Sequence, residues 1–204
     1  MTPDAVQKYC GLMAEIKNRT AVIDAFLDGI AHALYKATTI ETIYLQFRKI
    51  LELIAIGSLV ANKEIFSKVH QEFAKYWNAQ LLVKDMDRVN PNFFPHPVIQ
   101  QPSTRSGVKM EWLDRPDDYL TKNDLIKLYN KCGALMHCGN PYGSQVDLNY
   151  YEGKILYWRQ RIVNLLNAHF VRLLNDPNLY LIQMGAVGAS PTYTAFAPTE
   201  GPPA

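Results

Sequence analysis

Residues 130–142 carry the densest run of groups able to do chemistry: Asn130, Lys131, Cys132, His137, Cys138, Asn140 and Tyr142. A histidine flanked by amides and a tyrosine can act as a general acid–base group. With a cation nearby to hold the scissile phosphate, it could take the proton of a ribose 2′-hydroxyl, and metal-independent RNA cleavage needs little more. His137 is the expected acid–base residue. Lys131, with Asn130 beside it, is the expected catalytic neighbour. Arg48 is a second candidate cation, and Asn140 and Tyr142 are candidate RNA- or phosphate-positioning groups. Cysteine catalysis would need a thiolate beside a base, and Cys138 next to His137 is a short signal for it. Cys132, His137 and Cys138 have neither a CxxC pair nor a fourth ligand, so no zinc site and no cofactor are expected.

The element that must position these groups is a helix over 121–138. Leu125, Leu128, Tyr129, Cys132, Leu135 and Met136 fall on one apolar stripe at helical spacing. Thr121 and Asp124 have the spacing of a capping box, and Gly139 with Pro141 stops the helix. At about 100° per residue, Asn130 and His137 share a face, while Lys131 lies about 120° away from His137. Gly133 beside that face leaves room for a second backbone or a ligand.

Four more helices are expected around it. The first, over 4–35, carries Val6, Met13, Leu27 and Leu34 every seven residues, with Tyr9, Ile16, Ile23 and Ile30 as the alternate row. Such a stripe serves either a bundle core or a dimer seam. The second, over 38–60, is apolar nearly all round, so its Arg48 and Glu52, four apart, are expected to pair or to turn Arg48 toward the cleft of His137. A third spans 62–88. The last spans 147–174, where Leu148, Ile155, Ile162 and His169 repeat by seven. Short strands are expected over 108–112, which alternates, and over 179–184 and 192–196, set off by the turn at 175–178 and the loop at 185–190. His96, between two prolines, reads as a loop residue. The expected fold is mainly α: an elongated bundle of about five long helices in one domain over 1–204, with a small antiparallel sheet from the mid-chain loop and the C-terminus.

Composition limits the function classes. The chain has 204 residues, 48% hydrophobic and 20% charged, with a formal net charge of +2. That allows one sizeable core and gives no bulk charge that would mark a nucleic-acid binder. Three cysteines without close spacing argue for a reduced, cytoplasmic protein. The first twenty residues lack the apolar stretch of a signal peptide, and the longest apolar run, near 51–61, is too short to span a membrane.

Long helices, a near-uniformly apolar second helix carrying Arg48 and Glu52, and a later helix ending in a polar residue, a spacer and His137 resemble the HEPN superfamily. The resemblance implies an all-helical domain that commonly dimerises. It further implies either a metal-independent ribonuclease of toxin or antiviral systems or a non-catalytic relative. The family's Arg would fall at Lys131 or Asn130. Lys replaces Arg poorly at a bidentate phosphate site, and Asn carries no charge. The favoured expectation is therefore a degenerate, non-cleaving module that binds a partner protein, a nucleotide or RNA. The alternative is a ribonuclease working through His137.

Overall fold

The computed structural model describes residues 3–61, 81, 83–84, 87–88, 90–137, 145–172 and 176–198. The elements in chain order are α1 (Pro3–Leu27), α2 (Lys36–Ala61), β1 (His96–Pro102), β2 (Met110–Asp114), α3 (Lys122–Leu135), α4 (Leu148–Glu152), α5 (Ile155–Leu166), β3 (Ala168–Arg172), β4 (Leu179–Gln183) and β5 (Thr192–Phe196). Most of the helix expected over 62–88 lies outside the described residues; positions 81, 83–84 and 87–88 are helical.

The sevenfold row of α1 serves the chain's own core. Val6, Tyr9, Met13, Ile16 and Ile23 are buried together with Ile40, Tyr44, Phe47, Leu51 and Ile54 of α2. Each fully buried aliphatic side chain of this kind contributes about 1.5–3 kcal/mol of transfer free energy. At Gly57 the two helices come close enough that a Cβ would sit 3.2 Å from the Tyr9 ring. Beyond Leu27 the helical pattern fails. Gly29 takes a positive φ of 72° and Leu34 one of 65°, which leaves Leu34 and Ile30 of the expected seam exposed in a turn.

The expected mainly α bundle is overturned: the fold is α+β, with a five-stranded antiparallel sheet in the order β2-β1-β3-β4-β5. The single helix expected over 147–174 is three elements. α4 ends at Gly153, α5 follows, and the chain then enters β3 at the centre of the sheet. The run Ala168-His169-Phe170-Val171-Arg172 alternates, so His169 and Val171 face the core as a strand's side chains do. β3 pairs with β4 through Ala168↔Gln183 to Arg172↔Leu179, and β4 with β5 through Leu179↔Phe196 to Gln183↔Thr192. β1 arises in the proline-rich stretch ahead of the strand expected over 108–112, where none was expected. It joins β3 only at His96↔Phe170 and Pro97↔His169, so the β1–β2 hairpin projects past the end of the sheet.

One sheet face supplies Val171, Tyr180 and Ile182 to the main core. The other carries a smaller cluster of Val98, Ala168 and Leu181 under Trp112 and Phe170. Two long-range contacts tie sheet to helices. His169 Nδ1 lies 2.9 Å from the Leu166 carbonyl, which can only accept, so that nitrogen bears the proton. Its Nε2 therefore accepts from the Tyr9 hydroxyl at 2.9 Å. Burial lowers the His169 pKa to about 4, with the Leu166 bond opposing it. In the second contact, the Lys17 ammonium donates into the β4–β5 loop, with the carbonyls of Met184, Ala186 and Ala189 at 2.9, 2.5 and 2.7 Å.

Candidate functional site

Thr121 opens α3 with the expected capping box. Its hydroxyl accepts from the Asp124 N–H at 3.1 Å, and the Asp124 carboxylate accepts from the Thr121 N–H at 3.3 Å. Asp124 also holds Arg161 of α5 at 2.8 Å. Burial pushes the Asp124 carboxyl up, but the bonds from Thr121 and Arg161 outweigh it and hold its pKa below the usual range. This anchoring fixes the direction of the helix and hence of its far end.

Leu125, Leu128, Tyr129, Cys132 and Leu135 are buried, as one stripe of α3 packed against α2. Cys132 is sealed in this stripe, and burial drives its thiol up to about 12 against the pull of Arg48. A thiol this reluctant to ionise is no nucleophile. Helical geometry stops at Met136, whose N–H caps onto the Gly133 carbonyl at 3.1 Å. His137 is the next residue and is exposed. Asn130, one face down the helix, is exposed as well. Asn140, Tyr142 and Cys138 lie outside the described residues.

Arg48 sits in the seam between α2 and α3. Its Nε is 3.2 Å from Glu52 Oε1, and its Nη2 donates to the Tyr129 hydroxyl at 2.8 Å. The guanidinium carbon lies 4.4 Å from the Tyr129 ring centre. Glu52 also receives Lys49 at 3.1 Å. The open space at Gly133 is filled by this same group: a Cβ there would be 3.4 Å from Arg48 Nη1. The room expected for a ligand beside Gly133 is thus partly occupied by the protein's own cation.

Lys131 turns the other way. Its ammonium stands 4.7 Å from the ring centre of Tyr150 and 5.9 Å from that of Tyr151, both on α4. Asp147 sets that short helix by accepting from the Tyr150 N–H at 3.1 Å. The pattern continues into α5, where Lys154 lies 5.5 Å and Arg161 5.3 Å from the centre of the Tyr157 ring. Tyr150 and Tyr157 keep 43% and 44% of their surface open to solvent. Cations set against half-exposed tyrosines therefore run from α3 along α4 and α5.

The sequence candidates are thus separated. Asn130 and His137 are exposed at the end of α3, Lys131 faces α4, and Arg48 is held between α2 and α3. Tyr129 and Tyr150, the rings that engage the two cations, were not among the expected site residues. Tyr129 read as one more member of an apolar stripe. Among the described residues, no three His, Cys, Asp or Glu side chains are grouped to hold a metal ion. No helix of the described residues is long and apolar enough to cross a membrane. In comparisons with family models, curated proteins and solved structures, nothing matches this chain.

Proposed function

We propose that the chain is a non-catalytic module of the cytoplasm, acting as a homodimer, that binds RNA or a nucleotide along the face formed by the end of α3, α4 and the start of α5. The observation that carries this reading is where the two cations the sequence offers to a scissile phosphate stand: Arg48 in the α2–α3 seam and Lys131 against α4, with His137 exposed at the end of α3. Arg48 is held by Glu52 and Tyr129, and Lys131 by the tyrosines of α4. An imidazole without a cation to hold the phosphate lacks the electrostatic part of ribonuclease chemistry. Half-exposed tyrosines edged by Lys131 and Lys154 are instead suited to stack bases while the ammonium groups meet the backbone. The exposed apolar side chains of Ile30, Leu34 and Tyr35 in the turn after α1 are the suggested dimer contact.

Fluorescence anisotropy with a labelled single-stranded RNA tests the binding. Tyr150→Ala and Lys131→Ala should each weaken it, by about tenfold for the ring, since base stacking is worth about 1–3 kcal/mol. RNA incubated with the wild-type chain in EDTA should stay intact. Cleavage that disappears in His137→Ala would replace this reading with the second one, a metal-independent ribonuclease, which the exposure of His137 favours. Light scattering decides the dimer, and a strict monomer would remove that part. A protein partner on the same face would show as RNA binding unaffected by either substitution.

A further inference from the structure

The projecting β1–β2 hairpin borders a half-open cavity of about 410 Å³ against the α5–β3 corner and the end of β4. Gln100, Trp112, Arg115, Asn167 and Gln183 line it. That volume lies within the range of small-molecule pockets, about 300–1,000 Å³. Gln100 and Trp112 are cross-strand partners, which puts the indole and the amide side by side. The backbone N–H of Arg115 donates to the Pro97 carbonyl at 3.0 Å and fixes the start of its side chain at the hairpin's base.

The Arg115 guanidinium is the unexplained group. Its Nε is buried without a hydrogen-bond partner, and the side chain forms no ion pair among the described residues. The hairpin's acidic side chains are committed elsewhere. Asp114 pairs with His96 at 2.8 Å, and Glu111 lies 3.6 Å from Arg105 and 3.4 Å from the Ser103 hydroxyl. That Nε is closed off by the protein, but the terminal Nη pair of a guanidinium also matches the two oxygens of a carboxylate or phosphate. Three amides around it can hydrogen-bond a ligand's flanks, and the Trp112 ring offers a flat apolar wall.

We infer that this cavity binds a small oxyanion carried on a flat ring, with the anion held end-on by the terminal Nη groups of Arg115 and the ring laid against Trp112. The site shares no residue with the α3–α4 face and does not rest on the proposed function.

Three probes separate the sources of such an anion: benzoate for a carboxylate, phenyl phosphate for a phosphate ester, and inorganic phosphate for the anion alone. Titration would be followed in the arginine Nε–H region of the ¹H–¹⁵N spectrum, where Arg115→Lys identifies the Arg115 signal by its loss. At least one ring-bearing probe should shift that signal and bind at least tenfold more tightly than inorganic phosphate. Arg115→Ala should weaken binding at least tenfold, with Arg115→Lys recovering only part of it. Trp112→Phe should keep binding and Trp112→Ala should lose it. Lys131→Ala should bind like the wild type, and its failure to bind RNA would be a separate result. Circular dichroism melts confirm that each variant is folded. Unchanged affinity in folded Arg115→Ala, or no shift of the Arg115 signal with any probe, overturns the assignment.

Discussion

His169 must stay neutral to keep both of its hydrogen bonds, because its Nε2 accepts from Tyr9. Its pKa falls from the ordinary 6.5 to about 4 in the folded chain. The unfolded chain therefore binds more protons between those values, so stability is complete above about pH 6.5 and declines as the pH falls toward 4. The full effect is about 3 kcal/mol, the free-energy equivalent of that shift. Urea melts across this window should show the loss, and His169→Gln should flatten the slope while lowering stability at pH 7. A wild-type chain equally stable at pH 4.5 and 7 would contradict the buried, neutral ring. Residue-scale features legible in the sequence were local ones. The capping box at Thr121 and Asp124 and the pair Arg48–Glu52 each lie within one helical turn. The Tyr129 and Tyr150 contacts were hidden because tertiary packing, not spacing, brings those rings to the cations.

At the scale of elements, two helical glycines make opposite predictions. In α3, a Cβ on Gly133 would meet Arg48 Nη1 at 3.4 Å, an ordinary contact with the movable end of a side chain. Gly133→Ala should therefore stabilise the chain by up to about 1 kcal/mol through helix propensity. In α2, a Cβ on Gly57 would be 3.2 Å from a Tyr9 ring that His169 holds in place. Gly57→Ala should destabilise by about 1 kcal/mol, because overpacking of about 1–3 kcal/mol outweighs the same propensity gain. Thermal melts of the two variants should move in opposite directions. The sequence showed α1, α2 and α3 through their apolar spacing, and the last two strands through the turn and loop that bound them. It concealed β3 because Leu148, Ile155, Ile162 and His169 keep a sevenfold count across Gly153 and across the change from helix to strand. It concealed β1 because Pro95, Pro97 and Pro102 read as a connector, whereas Pro97 still serves the sheet by accepting from the Arg115 N–H. Missing β1 also hid the cavity behind its hairpin, and with it Arg115.

For the whole molecule, the sheet is fastened to the helices by contacts between distant parts of the chain. Lys17 grips the β4–β5 loop through its carbonyls, and that loop closes a cavity of about 430 Å³ bordered by Asp24 and Arg159. Arg159 and Asp24 are themselves joined by two bonds at 2.8 and 2.7 Å. Lys17→Met removes the donor and keeps much of the stem. Amide hydrogen exchange should then speed up at least tenfold over residues 185–190, with the centre of α2 unchanged. Equal protection in both proteins would show that the loop holds its place without the ammonium.

The grip of Lys17 also has a meaning in time. Its carbonyl acceptors lie 167 to 172 positions further along the chain, and the Tyr9–His169 bond spans 160. During synthesis α1 emerges long before the strands that complete it, and its apolar face must wait, covered first by α2, for the last hairpin to leave the ribosome. A nascent chain halted before β3 would present Tyr9 and Lys17 without their counterparts and offer quality-control machinery an unfinished helix pair.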